Sequence, residues 1–130
     1  MITGGCFCGA VTYQVNGKLR DAKSCHCSQC RKAFNAQASA AAMVDPGEFE
    51  WLSGEGNITS YIGEHGFGLQ FCKTCGSTVC TVYNDKVFQV TLGCVDGDPE
   101  VEIGMHLYVG SKATWEVMPE SIVTFEEGPV

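Results

Sequence analysis

A β domain drawn together by metal is what the sequence predicts, on two observations: three short segments of strand composition, and nine cysteines, seven of them clustered. Residues 11–15, 79–83 and 87–92 are rich in β-branched and aromatic side chains and are bounded by turn formers, as strands are. Asn84-Asp85 separates the last two segments and predicts a hairpin turn, since both residues tolerate the left-handed backbone of a tight turn. A short helical turn is expected after Cys27, with Ser28 as its cap. No internal repeat, low-complexity tract or linker interrupts the chain, so its 130 residues read as one domain spanning 1–130.

The cysteines fall into Cys6-Phe7-Cys8, Cys25-His26-Cys27-Ser28-Gln29-Cys30 and Cys72-Lys73-Thr74-Cys75, with Cys80 and Cys94 apart. The opening Met1-Ile2-Thr3-Gly4-Gly5-Cys6 has neither the basic nor the apolar region of a secretory signal, which makes a reducing cytoplasm the expected compartment. There, metal binding or redox chemistry explains clustered thiols better than a disulfide framework does.

Two cysteines one or two residues apart on a tight turn can aim both sulfurs at one ion, and Gly9 and Gly76 follow such pairs directly. Cys6, Cys8, Cys72 and Cys75 then make an all-thiolate set for a closed, structural zinc ion. Cys25, Cys27 and Cys30 offer three thiolates within six residues and leave the fourth position of a second zinc ion open, the arrangement of catalytic sites. Other groupings stay open on spacing alone. Cys72 and Cys75 also suit a redox pair, though one that wants a βαβ context. A histidine could close the middle cluster into a structural site, or Cys6 and Cys8 could join it.

Composition excludes other classes. A formal charge of -7 and a pI near 4.8 argue against a phosphate-binding surface, so nucleic acid is not an expected partner. No apolar run is long enough for a membrane span. Of the eight basic residues, Lys23, Arg31, Lys32 and Lys73 stand within two positions of a proposed ligand. Such cations attract an anionic thiol and its carboxylates, or they simply offset the charge of thiolate-bound metal.

The sequence resembles the glutathione-dependent formaldehyde-activating enzymes, the family that includes the centromere protein V type domains. The likeness rests on Gly5-Cys6-Phe7-Cys8-Gly9-Ala10-Val11, on Cys25-His26-Cys27-Ser28-Gln29-Cys30-Arg31-Lys32, and on Phe71-Cys72-Lys73-Thr74-Cys75-Gly76-Ser77. It continues through His106-Leu107-Tyr108-Val109, Ser111-Lys112-Ala113 and Trp115. The resemblance implies a mainly β domain of small coiled antiparallel sheets with zinc-binding hairpins. It implies two zinc ions per chain, a structural one on Cys6, Cys8, Cys72 and Cys75 and a catalytic, labile one on Cys25, Cys27 and Cys30. It also implies carbon–sulfur lyase chemistry on the adduct of glutathione, or another small thiol, with formaldehyde or a small aldehyde, Arg31 and Lys32 binding the thiol's carboxylates. A zinc-stabilised binding module without turnover is the competing expectation. Over residues 36–43 the alanines favour helix whereas the family pattern places a strand; the strand is expected.

The remaining candidates are read individually. His26 lies between two ligands and is expected to point away from them. His65 stands in a glycine-rich loop and is expected in solvent. His106 alternates with Tyr108 on a strand-like segment, which suits a hydrogen-bonded histidine. Cys80 and Cys94 read as small buried apolar residues, Cys94 standing where the family more often carries a hydroxyl.

Overall fold

The computed structural model describes residues 1–129. In chain order the strands are β1 (Ile2–Gly5), β2 (Thr12–Val15), β3 (Arg20–Cys25), β4 (Ala41–Met43), β5 (Phe49–Ser53), β6 (Ile58–Ile62), β7 (Phe67–Cys72), β8 (Thr78–Tyr83), β9 (Lys86–Thr91) and β10 (Met105–Leu107). The helix α1 (Ser28–Phe34) follows β3. The protein is thus mainly β, as the sequence predicts. A three-stranded sheet has the order β1-β2-β5, and a seven-stranded sheet the order β10-β3-β4-β9-β8-β7-β6.

All neighbours pair antiparallel except β10 and β3, which run parallel with His106 opposite Ser24 and Leu107 opposite Cys25. That single parallel pair carries the segment from His106 to the mouth of the middle cysteine cluster. The free side of β10 is covered in turn, because the His106 amide donates to Val123 O at 2.8 Å and the Phe125 amide to His106 O at 2.8 Å. An uncovered edge would present unpaired backbone groups to other chains.

The expected strands appear where composition placed them. Tyr13 and Val15 on β2 are buried while Thr12 and Gln14 are half-exposed, the alternation of a strand with one face on the core. In β8, the inner strand between β7 and β9, Val79, Cys80, Thr81 and Val82 are all buried, so both its faces are covered. Asn84 and Asp85 turn the β8–β9 hairpin with φ of 50° and 65°, the pair of left-handed residues that suits the twist of a two-residue turn. Between the sheets Val11, Tyr13, Val15, Leu19, Val79 and Val90 belong to one apolar cluster. Tyr13 stacks on Phe49 at 5.0 Å and meets Trp51 edge-on at 6.4 Å.

Two local expectations need correction. The cap of α1 is Cys27, not Ser28: Cys27 has extended backbone (φ -67°, ψ 157°), and its sulfur accepts from the Cys30 amide at 3.3 Å. The expected strand over residues 36–43 shrinks to Ala41–Met43. Asn35 ends α1 in the left-handed conformation (φ 54°), and Ser39 then ties the returning loop to Cys25 by two bonds, amide to Cys25 O at 3.0 Å and hydroxyl from the Cys25 amide at 3.1 Å. Among the described residues no helix is long and apolar enough to cross a membrane.

Candidate metal centres and the adjoining cleft

The first cluster joins two turns. Cys6 and Cys8 lie in the β1–β2 loop, where the Cys6 amide donates to Val11 O at 3.1 Å and the Gly9 amide to Cys6 O at 3.2 Å. Cys72 ends β7, Cys75 sits in the β7–β8 turn, and the Gly76 amide donates back to Cys72 O at 2.9 Å. Gly9 and Gly76 have φ of 83° and 79° with open space around both, so it is the backbone conformation that calls for glycine there.

The sulfurs converge. Cys6 Sγ stands 3.6 Å from Cys8 Sγ, Cys8 Sγ stands 3.7 Å from Cys72 Sγ, and all four lie within 4.8 Å of one another. A zinc ion with bonds of about 2.3 Å in a regular tetrahedron separates its sulfurs by roughly 3.8 Å, so the donors fit this metal in kind and in spacing.

Hydrogen-bond donors reach the sulfurs of Cys6, Cys72 and Cys75. The Val11 amide reaches Cys6 Sγ at 3.3 Å, the Thr74 amide Cys72 Sγ at 3.4 Å, and Asn57 Nδ2 Cys72 Sγ at 3.3 Å. The Ser77 hydroxyl beside Cys75 Sγ, with backbone donors, pulls the Cys75 thiol down to about 5, and backbone donation by Cys75 lowers Cys72 as well. Lys73 does not face the sulfurs; its Nζ donates to Gly56 O at 3.2 Å.

The second cluster is compact. Cys25 ends β3, Cys27 caps α1 and Cys30 stands in its first turn; all three are half-buried and their sulfurs lie within 4.8 Å of one another. Cys30 beside it holds the Cys25 thiol down at about 6, and the same contact, with burial, pushes Cys30 up. A divalent cation would be held by these sulfurs as thiolates. Among the described residues no fourth protein ligand joins the group.

His26 turns away, as expected. Only 1% exposed, it places Nε2 at 2.9 Å from His106 Nδ1 and Nδ1 at 3.1 Å from Glu116 Oε1. The contact with Glu116 is short but not aligned as a hydrogen bond, and neither atom has another partner. Burial pushes the His26 pKa below its ordinary value against the opposing pull of Glu116, which favours the neutral ring. His106 is half-buried, and His65 is exposed in the loop between β6 and β7. Cys80 is fully buried, whereas Cys94 is half-exposed with its sulfur at 3.5 Å from Thr78 O.

Beside the second cluster, Arg31, Lys32, Asn35, Ala36, Gln37 and Trp115 line an open cleft of about 420 Å³. Arg31 is half-buried and Lys32 exposed, both on the cleft wall, and Trp115 is 70% exposed at its rim. A guanidinium and an ammonium group on the wall of an open cleft suit an anionic oxygen.

Three residues escaped the sequence reading as parts of a site: Asn57 and Glu116, brought in from a distance along the chain, and Ser77, beside Cys75. Asn57 in Gly56-Asn57-Ile58 looks like any turn residue, and Glu116 like any surface acid. Ser77, which also accepts from the Phe7 amide at 2.9 Å, carried the one local signal, its place two positions after a ligand.

Comparison with known proteins agrees with this picture. A family model described as glutathione-dependent formaldehyde-activating enzyme matches residues 1–111. A crystal structure of a Rhodobacter sphaeroides protein, a structural-genomics target, is similar with a TM-score of 0.58 and 28% identity, over 74% of this chain and 89% of that one.

Proposed function

The chain belongs to the glutathione-dependent formaldehyde-activating enzyme family, and from that premise we propose a zinc-dependent carbon–sulfur lyase acting on the adduct of glutathione, or a similar small thiol, with formaldehyde or a small aldehyde. The observation that carries this reading is a three-sulfur cluster that no fourth protein ligand joins among the described residues, followed directly on α1 by Arg31 and Lys32, which line an open cleft. The residues 1–130 act as one domain in this proposal.

Cys6, Cys8, Cys72 and Cys75 hold the structural ion, and Cys25, Cys27 and Cys30 the catalytic one. When bound, the second zinc offers a position where an incoming thiol ionises at neutral pH. Arg31 and Lys32 receive the thiol's carboxylates, which orients the sulfur toward the cluster. The sulfur's electron pair forms the C–S bond to the carbonyl carbon, the C=O π bond opens, and the oxygen takes up a proton to give the hydroxymethyl thioether; lysis is the reverse. Three thiolates outweigh the charge of a divalent cation, so Cys25, Cys27 and Cys30 favour exchange at sulfur over activation of water.

The test is exchange between formaldehyde and its glutathione adduct, followed by NMR above the spontaneous rate. Acceleration by the zinc protein that Cys27→Ser abolishes is the expected result. An exchange rate equal to that without protein contradicts the proposal and leaves the binding module.

A further inference from the structure

His26 is fully buried and meets two half-buried polar side chains, His106 and Glu116. His26 does not join the three sulfurs: its Nε2 pairs with His106 Nδ1 and its Nδ1 lies 3.1 Å from Glu116 Oε1. Yet it is flanked on both sides by sulfurs of the second cluster, so the pose of its ring fixes the backbone from which Cys25 and Cys27 project. The anchors come from far along the chain. Leu107 O accepts from the His26 amide at 2.9 Å, and β10 brings His106 beside β3. Tyr108 then takes a left-handed backbone (φ 56°, ψ 40°), uncommon for a bulky residue, and the chain turns so that the segment after it returns toward His26. There Lys112 Nζ donates to Glu116 O at 3.1 Å, which pins the residue whose carboxylate meets His26.

We infer that Glu116, acting with His106 through the buried ring of His26, is a positioning residue for the three-cysteine site, setting the spacing of its sulfurs and hence its hold on metal. Glu116 lies beyond residue 111, where the match to the family model ends, so the site is completed from outside the matched segment. The inference rests on the assignment of Cys25, Cys27 and Cys30 as metal ligands and is independent of which thiol or aldehyde is used. Groups bonded directly to metal ligands commonly change affinity by about 10–100-fold when removed, and Glu116, one contact further out, belongs at the low end of that range.

The experiment is a cobalt titration of the full chain without glutathione or aldehyde, following sulfur-to-metal absorption, with a competing chelator to set affinities at both sites. Glu116→Ala is expected to weaken the three-cysteine site by at least about tenfold while the four-cysteine site binds as in the parent. Glu116→Gln, which keeps an acceptor oxygen at the same reach, should restore affinity to within about threefold, and Glu116→Asp, one methylene short, should not. Should Glu116→Ala fail to fold, the Gln and Asp variants decide between them. Parental affinity in both Ala and Asp variants, or equal weakening of the two metal sites, would overturn the inference. Because no substrate is present, loss of the proposed lyase activity on other grounds does not affect this outcome.

Discussion

Tyr13 shows what a single side chain costs and gives in this core. Its ring is fully buried between Phe49 and Trp51, but its hydroxyl has no hydrogen-bond partner and lies against the Gly4 backbone. Burial also pushes the phenol's pKa up, so the group stays neutral. An unsatisfied hydroxyl costs about 1–3 kcal/mol, which makes the ring, not the oxygen, the stabilising part. Tyr13→Phe is therefore expected to melt at or above the parent temperature; a loss greater than about 1 kcal/mol in denaturant unfolding would reveal a partner for the hydroxyl. Composition marked residues 11–15 as a strand, but the missing partner depends on Gly4 and β5, which local sequence does not describe.

At the scale of elements, α1 and the second cluster are one object, because Cys27 is both the helix cap and a proposed ligand. Serine replaces the cap but not the thiolate, and alanine replaces neither. Cys27→Ser should keep the fold and give up the metal of the three-cysteine site. Cys27→Ala should do the same and lose a further ~1 kcal/mol of stability from the uncapped helix. Metal content per chain and chemical denaturation read the two effects separately, and full metal retention in either variant would remove Cys27 from the ligand set. Spacing alone made the cluster legible, whereas the cap went to Ser28 because hydroxyls are the usual cap and a thiolate is seldom considered. The alanines of residues 36–43 misled for a related reason: their helical preference yields to the Asn35 cap and to the two bonds from Ser39 to Cys25.

At the scale of the whole molecule, Cys8 and Cys72 are 64 positions apart in sequence, yet their sulfurs are 3.7 Å from each other, so a zinc ion on the first cluster, as proposed, would staple the three-stranded sheet to the seven-stranded one. Metal that binds only the folded arrangement adds its binding energy to folding. Cys72→Ser is expected to abolish the cooperative melt, and a melting curve equal to the parent's would contradict a stapling role. Spacing suggested this partition of the cysteines and left others open, and the convergence of the sulfurs chooses it. The parallel pairing of β10 with β3 was not readable in the sequence, since three residues of strand composition have no local signature of direction. With it went Glu116, whose approach to His26 exists only once that pairing forms.

The central claim is that the three-cysteine site keeps one coordination position for a thiol from solution, and cobalt substituted at that site tests it most directly. Addition of glutathione should intensify the sulfur-to-metal charge-transfer absorption, as a light ligand gives way to a fourth sulfur and the thiol proton is released. Replacing Arg31 and Lys32 by alanine should weaken this response, more visibly at low salt, because the thiol's carboxylates lose their partners. A spectrum indifferent to millimolar glutathione in the parent protein would contradict the claim.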